Sequence, residues 1–364
     1  MDKRQPDTRL DGPHALTMSD IAPCYIIAEA GVNHNGSEDM AFALVDAAVA
    51  ASADAVKFQT FKAEKLVTRQ ARKAAYQQVQ TGEGDQFAML KALELSDAAH
   101  RRLAAYCAET GIEFLSTPFD EESADFLVGL GCRRLKIPSG ELTNAPFLRY
   151  LAAKGLPLIL STGMADLREV AEAVALISRT REKNGFAEPL AEALTLLHCT
   201  SNYPTPLGDV NLRAMRTLAD TFHLPVGYSD HTAGDFVAPI ARALGAVVFE
   251  KHFTLDRDLP GPDHAASLEP AELARMVRAI RDTDTVLGSP EKVPSGPELE
   301  VRIAARRSVT LARDVAADVP LTAADLTLMR PGDGIPPVEM DRIMGRRLAR
   351  AMSAGATLRW RDLA

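Results

Sequence analysis

The chain has 364 residues, 46% of them hydrophobic and 25% charged, with a formal net charge of −8. That acidic balance excludes a general nucleic-acid or anionic-membrane binder, and no segment has the length and apolarity needed to span a bilayer. The four cysteines (Cys24, Cys107, Cys132, Cys199) show no CxxC spacing and read as buried, reduced thiols of a cytoplasmic protein. Residues 1–20 are polar, carry Pro6 and Pro13, and lack the apolar stretch of a signal peptide, so they read as a flexible N-terminal arm.

From Tyr25 onward, short apolar β-branched runs end in polar clusters and are each followed by a helical stretch. The runs are Tyr25–His34, Ala55–Thr60, Ile112–Phe119, Arg134–Glu141, Pro157–Met164, Leu194–Ser201, Pro225–Thr232 and Ala246–Thr254. Continuous apolar runs alternating with helices imply buried parallel strands in βαβ units, and eight of them predict an α/β fold, a (β/α)8 TIM barrel, over residues 21–287. Between them, 3.6-residue periodicity marks a helix at Met40–Ala51, and helical stretches at Asp97–Thr110, Glu121–Leu130, Pro146–Ala153, Ala165–Arg181, Asn211–Ala219, Gly234–Leu244 and Pro270–Leu287 complete the alternation. The Lys62–Ser96 connection is far longer than an ordinary βα loop and is read as a lid over the barrel mouth.

A Gly/Pro/Ser-rich stretch from Gly288 predicts a linker over 288–300. The remaining 301–364 read as a small, β-rich, basic module that is too short for a large core and is expected to dock on a barrel, its own or a partner's.

In a (β/α)8 barrel the C-terminal strand ends converge on the active-site mouth. Here those ends carry Glu29, Lys57, Thr117, Lys136, Ser139, Ser161, Ser201, Ser229, His231, Glu250 and His252. His231 and His252 end adjacent strands, so two neutral imidazoles can face one divalent ion such as Mn²⁺, with Glu250, Asp230 and Asp263 orienting them. Neither HExxH nor clustered CxxC occurs, which argues against hydrolytic or structural zinc. Lys57 and Lys136 lie in apolar strands and need an anionic partner or a depressed pKa. They fit either Schiff-base chemistry or a polyanionic substrate, and the ring of strand-end hydroxyls favours a ligand bearing carboxylate and phosphate. No GxGxxG follows a strand and no GxxxxGK[ST] occurs, so nucleotide cofactors find no support.

The segments AEAGVNHNG (28–36), VKFQTFKAEKLVT (56–68), MLKALELS (89–96), EFLSTPFD (113–120), LKIPSGELTN (135–144), LSTGM (160–164), HCTSNYPTP (198–206), GYSDHT (227–232) and FEKHFTLDRDLPGPDHAASLEP (249–270) resemble the sialic acid synthase family, and the C-terminal module resembles its antifreeze-like SAF domain. The resemblance runs from Tyr25 to Ala364. It implies condensation of phosphoenolpyruvate with an N-acetylated hexosamine, N-acetylmannosamine or a 2,4-diacetamido-trideoxymannose, to a nine-carbon 2-keto acid and phosphate. It further implies that His231 and His252 bind the metal, usually Mn²⁺, with Mg²⁺ or Co²⁺ as alternatives. Lys57, Thr117 and Lys136 would hold the carboxylate end of phosphoenolpyruvate, and Ser139, Ser161, Ser201 and Ser229 its phosphate. Glu29 would be the acid/base, and Gln59, Glu141, Tyr203 and Asp263 would contact the sugar. Arg330 would reach the N-acetyl group from a partner subunit, which implies a domain-swapped homodimer.

Some members have asparagine where this chain has Ser201, with Asn202 beside it, so either residue is a candidate for the phosphate. GPDHAASLEP, with His264 after Asp263, looks more like the N-acetylneuraminate and legionaminate branches than the pseudaminate branch. The competing readings are a pseudaminate-branch synthase, a Schiff-base aldolase using Lys136, and a non-catalytic, sugar-binding barrel.

Overall fold

The computed structural model describes residues 23–364, so the expected N-terminal arm lies outside the described residues. The chain forms two compact units that part between Ser289 and Pro290.

The first unit contains eight parallel strands: β1 (Tyr25–Gly31), β2 (Ala55–Thr60), β3 (Glu113–Pro118), β4 (Leu135–Ile137), β5 (Leu158–Ser161), β6 (Leu194–Cys199), β7 (Val226–Asp230) and β8 (Val248–His252). Ladders join them in the order β3-β2-β1-β8-β7-β6-β5-β4, with β3 and β4 lying side by side at the seam. Helices start where short polar side chains cap them. Ser37, Ser96, Asp120, Asn144 and Asp166 each accept a backbone N–H of the first turn. Gly111 and Gly131 close two of the helices in the left-handed region, at φ +80° and +92°, where a side chain would be strained. The predicted helix Pro270–Leu287 occupies those residues, whereas the stretch read as Ala165–Arg181 is helical over Leu167–Lys183, starting after the Asp166 cap.

Strand periodicity builds the barrel interior in layers. Ile27, Ala55, Leu115, Ile159, Leu197 and Val248 form one small apolar cluster. The residues two positions further along the same strands are Glu29, Lys57, Thr117, Ser161, Cys199 and Glu250, so the polar layer stands directly on an apolar floor. At β7 the floor position is Gly227, where a Cβ would fall 2.2 Å from the Val248 carbonyl oxygen and 2.7 Å from Leu197 Cδ2. The alternate strand residues, among them Ile26, Val56, Phe58, Leu160, Tyr228 and Phe249, face outward into the larger core shared with the helices.

The Lys62–Ser96 connection contains short helices at Ala63–Leu66, Ala75–Thr81 and Gln86–Ala92, and Arg72 bridges to Asp85. In the second unit, β9 (Ser308–Leu311) pairs antiparallel with β10 (Leu326–Met329) over a compact core that includes Val309, Leu311, Leu321, Ile335, Ile343 and Leu358. The helix Gly296–Ala305 begins inside the stretch read as linker over 288–300. Ser295 and Glu298 form a capping box there and Pro297 sits in the first turn, so residues that signal a loop by composition signal a helix start by position. Among the described residues, no helix is long and apolar enough to cross a membrane.

Candidate active site

Glu250 stands at the centre of the polar layer. Its carboxylate lies 3.3 Å from Lys136 Nζ and 3.5 Å from Lys57 Nζ, and it accepts a 2.8 Å hydrogen bond from Ser229. Lys57 also forms an ion pair with Glu29, its register partner on β1, and donates to Thr117 Oγ1 at 3.0 Å. Lys136 donates to Ser161 Oγ at 2.7 Å. All of these side chains are buried. Two ammonium groups are therefore matched by two carboxylates in a water-poor layer, an arrangement that costs several kcal/mol per ion unless every partner is in place.

The two carboxylates are not equivalent. Burial pushes Glu29 up to about 7 despite the attraction of Lys57. The same burial would raise Glu250, but Lys136 and Lys57 together outweigh it and hold Glu250 at about 2. Glu250 thus carries the firm negative charge, and Glu29 is the carboxylate free to exchange a proton near neutrality. Burial lowers Lys136, with Glu250 opposing that shift. Lys57 resists the same burial because Glu250 and Glu29 both favour its charged form.

One step further along the strands, the layer opens to the mouth. Ser139 Oγ accepts from the Gly163 N–H at 3.0 Å and lies 3.2 Å from Cys199 Sγ. A Cβ on Gly163 would meet Ser201 Oγ at 2.4 Å and both Ser139 Oγ and Cys199 Sγ at 2.8 Å, so three polar atoms converge on a cradle that only glycine leaves clear. Ser201 is the residue that faces this cradle, and its neighbour Asn202 is exposed.

His231 and His252 stand together, with ring centroids 5.6 Å apart. His231 Nδ1 donates to the Thr200 carbonyl at 2.7 Å, and Tyr203 bonds Nε2 through its hydroxyl at 2.9 Å. His252 Nδ1 is buried without a hydrogen-bond partner among the described residues and lies 4.0 Å from Asp263 Oδ2. Burial pushes His231 down to about 4; His252 is lowered too, by burial and by His231. Both are neutral imidazoles with lone pairs to offer. Asp263 is raised to about 6 by burial. Its loop is pinned to the turn after β1: His264 bonds Asn35 and Thr254, and Asn33 donates to Ser267 and to the Phe253 carbonyl.

Asp230 departs from the expectation that it would orient the histidines. As the residue between inward-facing Ser229 and His231 it points outward, bonding Lys251 Nζ at 2.8 Å and the Thr232 N–H at 2.9 Å. Glu250 is likewise engaged with the lysines, one layer below His252 on the same strand face. His198, on β6 between the inward-facing Leu197 and Cys199, is turned away from the mouth and donates from Nε2 to the Val210 carbonyl at 2.8 Å. Cys199, read only as a buried thiol, is part of the serine cradle. Gln59 lies beside Thr117 in register, and Asn144 bonds Glu141 at 2.6 Å while also capping its own helix. Arg330 is exposed directly after β10 in the second unit. Among the described residues, no three His, Cys, Asp or Glu side chains converge as a ready metal-binding group.

Residues 44–292 match the protein-family model described as the NeuB family, and residues 306–364 match that of the SAF domain. The chain is 54% identical over 341 residues to the N,N'-diacetyllegionaminic acid synthase of Legionella pneumophila, covering 93% of this chain and 94% of that one. It is 44% identical over 322 residues to the N,N'-diacetyllegionaminic acid synthase of Campylobacter jejuni, covering 88% and 94%. The crystal structure of an N-acetylneuraminic acid (sialic acid) synthetase from Leptospira borgpetersenii resembles it with a TM-score of 0.66 at 34% identity, over 77% of this chain and 90% of that chain.

Proposed function

This chain belongs to the NeuB family, and from that premise we propose that it condenses phosphoenolpyruvate with an N-acetylated hexosamine, releasing phosphate and a nine-carbon 2-keto acid. The 54% identity to an N,N'-diacetyllegionaminic acid synthase supports a 2,4-diacetamido-trideoxymannose as the sugar, ahead of N-acetylmannosamine. The observation that carries the reading is the buried pair Lys57 and Lys136, ringed by Thr117, Ser139, Ser161, Ser201 and Ser229, beside two neutral imidazoles.

In this reading the lysines and Thr117 receive the phosphoenolpyruvate carboxylate, and the serines with the Gly163 N–H receive its phosphate. Entry of this anion displaces Glu250 from the lysines. The buried, unpartnered His252 Nδ1 and the neutral state of both imidazoles fit a borderline divalent ion, Mn²⁺ by preference with Mg²⁺ or Co²⁺ as alternatives. Such an ion, held by His231 and His252, would supply the Lewis acidity that makes a sugar aldehyde electrophilic.

The C3 carbon of phosphoenolpyruvate attacks the aldehyde carbon, the aldehyde oxygen takes a proton to become a hydroxyl, and positive charge develops at C2. Glu29, poised near neutrality, stabilises that charge and takes the proton of the water that adds there. Collapse of the tetrahedral adduct forms the C2 carbonyl and breaks the C2–O bond to phosphate. The C2 hydroxyl proton leaves with the phosphate, and the proton taken by Glu29 from water balances the one gained by the aldehyde oxygen. Gln59, Glu141, Tyr203 and Asp263 orient the sugar, and Arg330 reaches the N-acetyl group in the site of a partner subunit of a domain-swapped homodimer. Four free, buried cysteines are consistent with a cytoplasmic setting.

The test is phosphate release from phosphoenolpyruvate with Mn²⁺, comparing the two sugars with and without EDTA. Release that requires sugar and stops with chelator is expected, faster with the diacetamido sugar. Release that ignores EDTA, with a pyruvate adduct trapped by borohydride, would replace this reading with a Schiff-base aldolase acting through Lys136.

A further inference from the structure

The loop after β6 grips His231 from several sides. The Thr200 carbonyl takes the Nδ1 proton of the ring, the Thr205 N–H donates to the His231 carbonyl at 2.8 Å, and Thr205 Oγ1 ties back to the Asn202 carbonyl at 2.7 Å. Tyr203 sits between these anchors. Its ring packs on the imidazole with centroids 4.0 Å apart, and its hydroxyl reaches Nε2 at 2.9 Å. The 2.7 Å bond to a carbonyl, which can only accept, puts the imidazole proton on Nδ1. Nε2 then holds a lone pair, so the phenol is the donor.

That lone pair is the one His231 would offer to a metal. A neutral imidazole has one in-plane lone pair, which serves a proton donor or a cation but not both. We propose that Tyr203 gates the metal position: in the metal-free enzyme its phenol caps His231 Nε2, and a divalent cation binds by displacing it. The proposal rests on the reading of His231 and His252 as the metal-binding pair. Anchoring at Thr200 and Thr205 keeps the imidazole in place when the phenol leaves.

The experiment is a titration of the full-length enzyme with Mn²⁺ alone, following the free ion by electron paramagnetic resonance. Wild type, Tyr203→Phe and His252→Ala are compared. Phenylalanine keeps the ring packing and removes the competing donor, so Tyr203→Phe should bind Mn²⁺ roughly 2- to 10-fold more tightly, the worth of one neutral hydrogen bond. Unchanged or weaker binding in Tyr203→Phe overturns the gate while leaving the metal pair standing. Stoichiometric Mn²⁺ binding lost from wild type, or fully kept in His252→Ala, would instead overturn the metal reading and the gate with it. A second measurement needs no stable variant. Adding Mn²⁺ to the wild-type enzyme should produce a near-ultraviolet tyrosine difference spectrum as the phenol changes its partner, and a flat difference spectrum at saturating Mn²⁺ would overturn the proposal.

Discussion

Replacing Glu250 with Gln removes the charge that holds two buried lysines while keeping the shape of the side chain. The two Nζ–carboxylate separations, 3.3 and 3.5 Å, each correspond to about 5 kcal/mol of attraction at an effective dielectric near 20, set against the cost of burying the ions. Removing one member of such a network costs about 3–5 kcal/mol, because the remaining charges stay buried without their partner. At roughly 2–4 °C per kcal/mol for a domain of this order, the thermal midpoint of the barrel should fall by roughly 10 °C. The loss has a specific remedy. Phosphoenolpyruvate brings its own anionic groups to Lys57 and Lys136 and need not compete with Glu250 for them in the variant. Circular dichroism melts with and without phosphoenolpyruvate should show a larger ligand-induced rise in Glu250→Gln than in wild type. A variant as stable as wild type, or one that phosphoenolpyruvate stabilises no more than wild type, would refute the view that Glu250 stands in for the substrate between the lysines.

Gly163→Ala places a methyl group among Ser139, Ser201 and Cys199, and should raise the phosphoenolpyruvate KM on the order of ten- to hundred-fold, from about 1–3 kcal/mol of overpacking, with little change in the sugar KM; equal KM values for both substrates in variant and wild type would contradict the phosphate cradle. With Glu29 at about 7 and acting as a base, kcat/KM should rise as pH increases through neutrality, and Glu29→Gln should be slow and lack that limb; a limb that survives the substitution belongs to another group. In the second unit, bonds from Thr322 and then Arg313 hold Asp325 at about 2, below its usual 3.8. Its stabilising effect is therefore full above about pH 4 and lost as pH falls toward 2. The fluorescence of Trp360, the one tryptophan of the chain, reports that unit, and Asp325→Asn should flatten its acid sensitivity across this window; an unchanged acid transition would remove Asp325 as its origin.

Much of this site was legible because strand chemistry has a short period. Lys57 and Lys136 stand out in the sequence as charges inside apolar runs, and inward-facing positions repeat every second residue. The same rule explains the errors. Asp230 lies in a polar Ser-Asp-His-Thr run, so composition alone sends it to the mouth with Ser229 and His231, yet alternation turns it outward to Lys251. Glu250 was visible as a strand-end acid, but whether it would serve the histidines or the lysines depends on β4, β2 and β7 closing around it, which is tertiary information. Cys199 gives no signal of its own, because a cysteine in a cradle and a cysteine in a core look alike in sequence. Where Gly-Pro-rich residues both break one element and start the next, as at 296–305, position relative to Ser295 and Glu298 decides, and composition does not.

The two halves of the site are built from different parts of the chain. Lys57, Thr117, Lys136, Ser161 and Ser229, assigned to phosphoenolpyruvate, sit on β2–β5 and β7 above the apolar floor, with Ser139, Ser201 and Gly163 just past the strand ends. Of the barrel groups assigned to the sugar, Gln59 sits on β2, whereas Glu141, Tyr203 and Asp263 sit in connections. Inheritance treats these parts unequally. A substitution among the strand residues disturbs neighbours on both sides and a buried charge balance, while a change in a connection touches far fewer. A lineage built on this plan can therefore drift in the sugar it accepts, by insertion or exchange in three loops, while the condensation of phosphoenolpyruvate with an aldehyde passes unchanged from one descendant to the next.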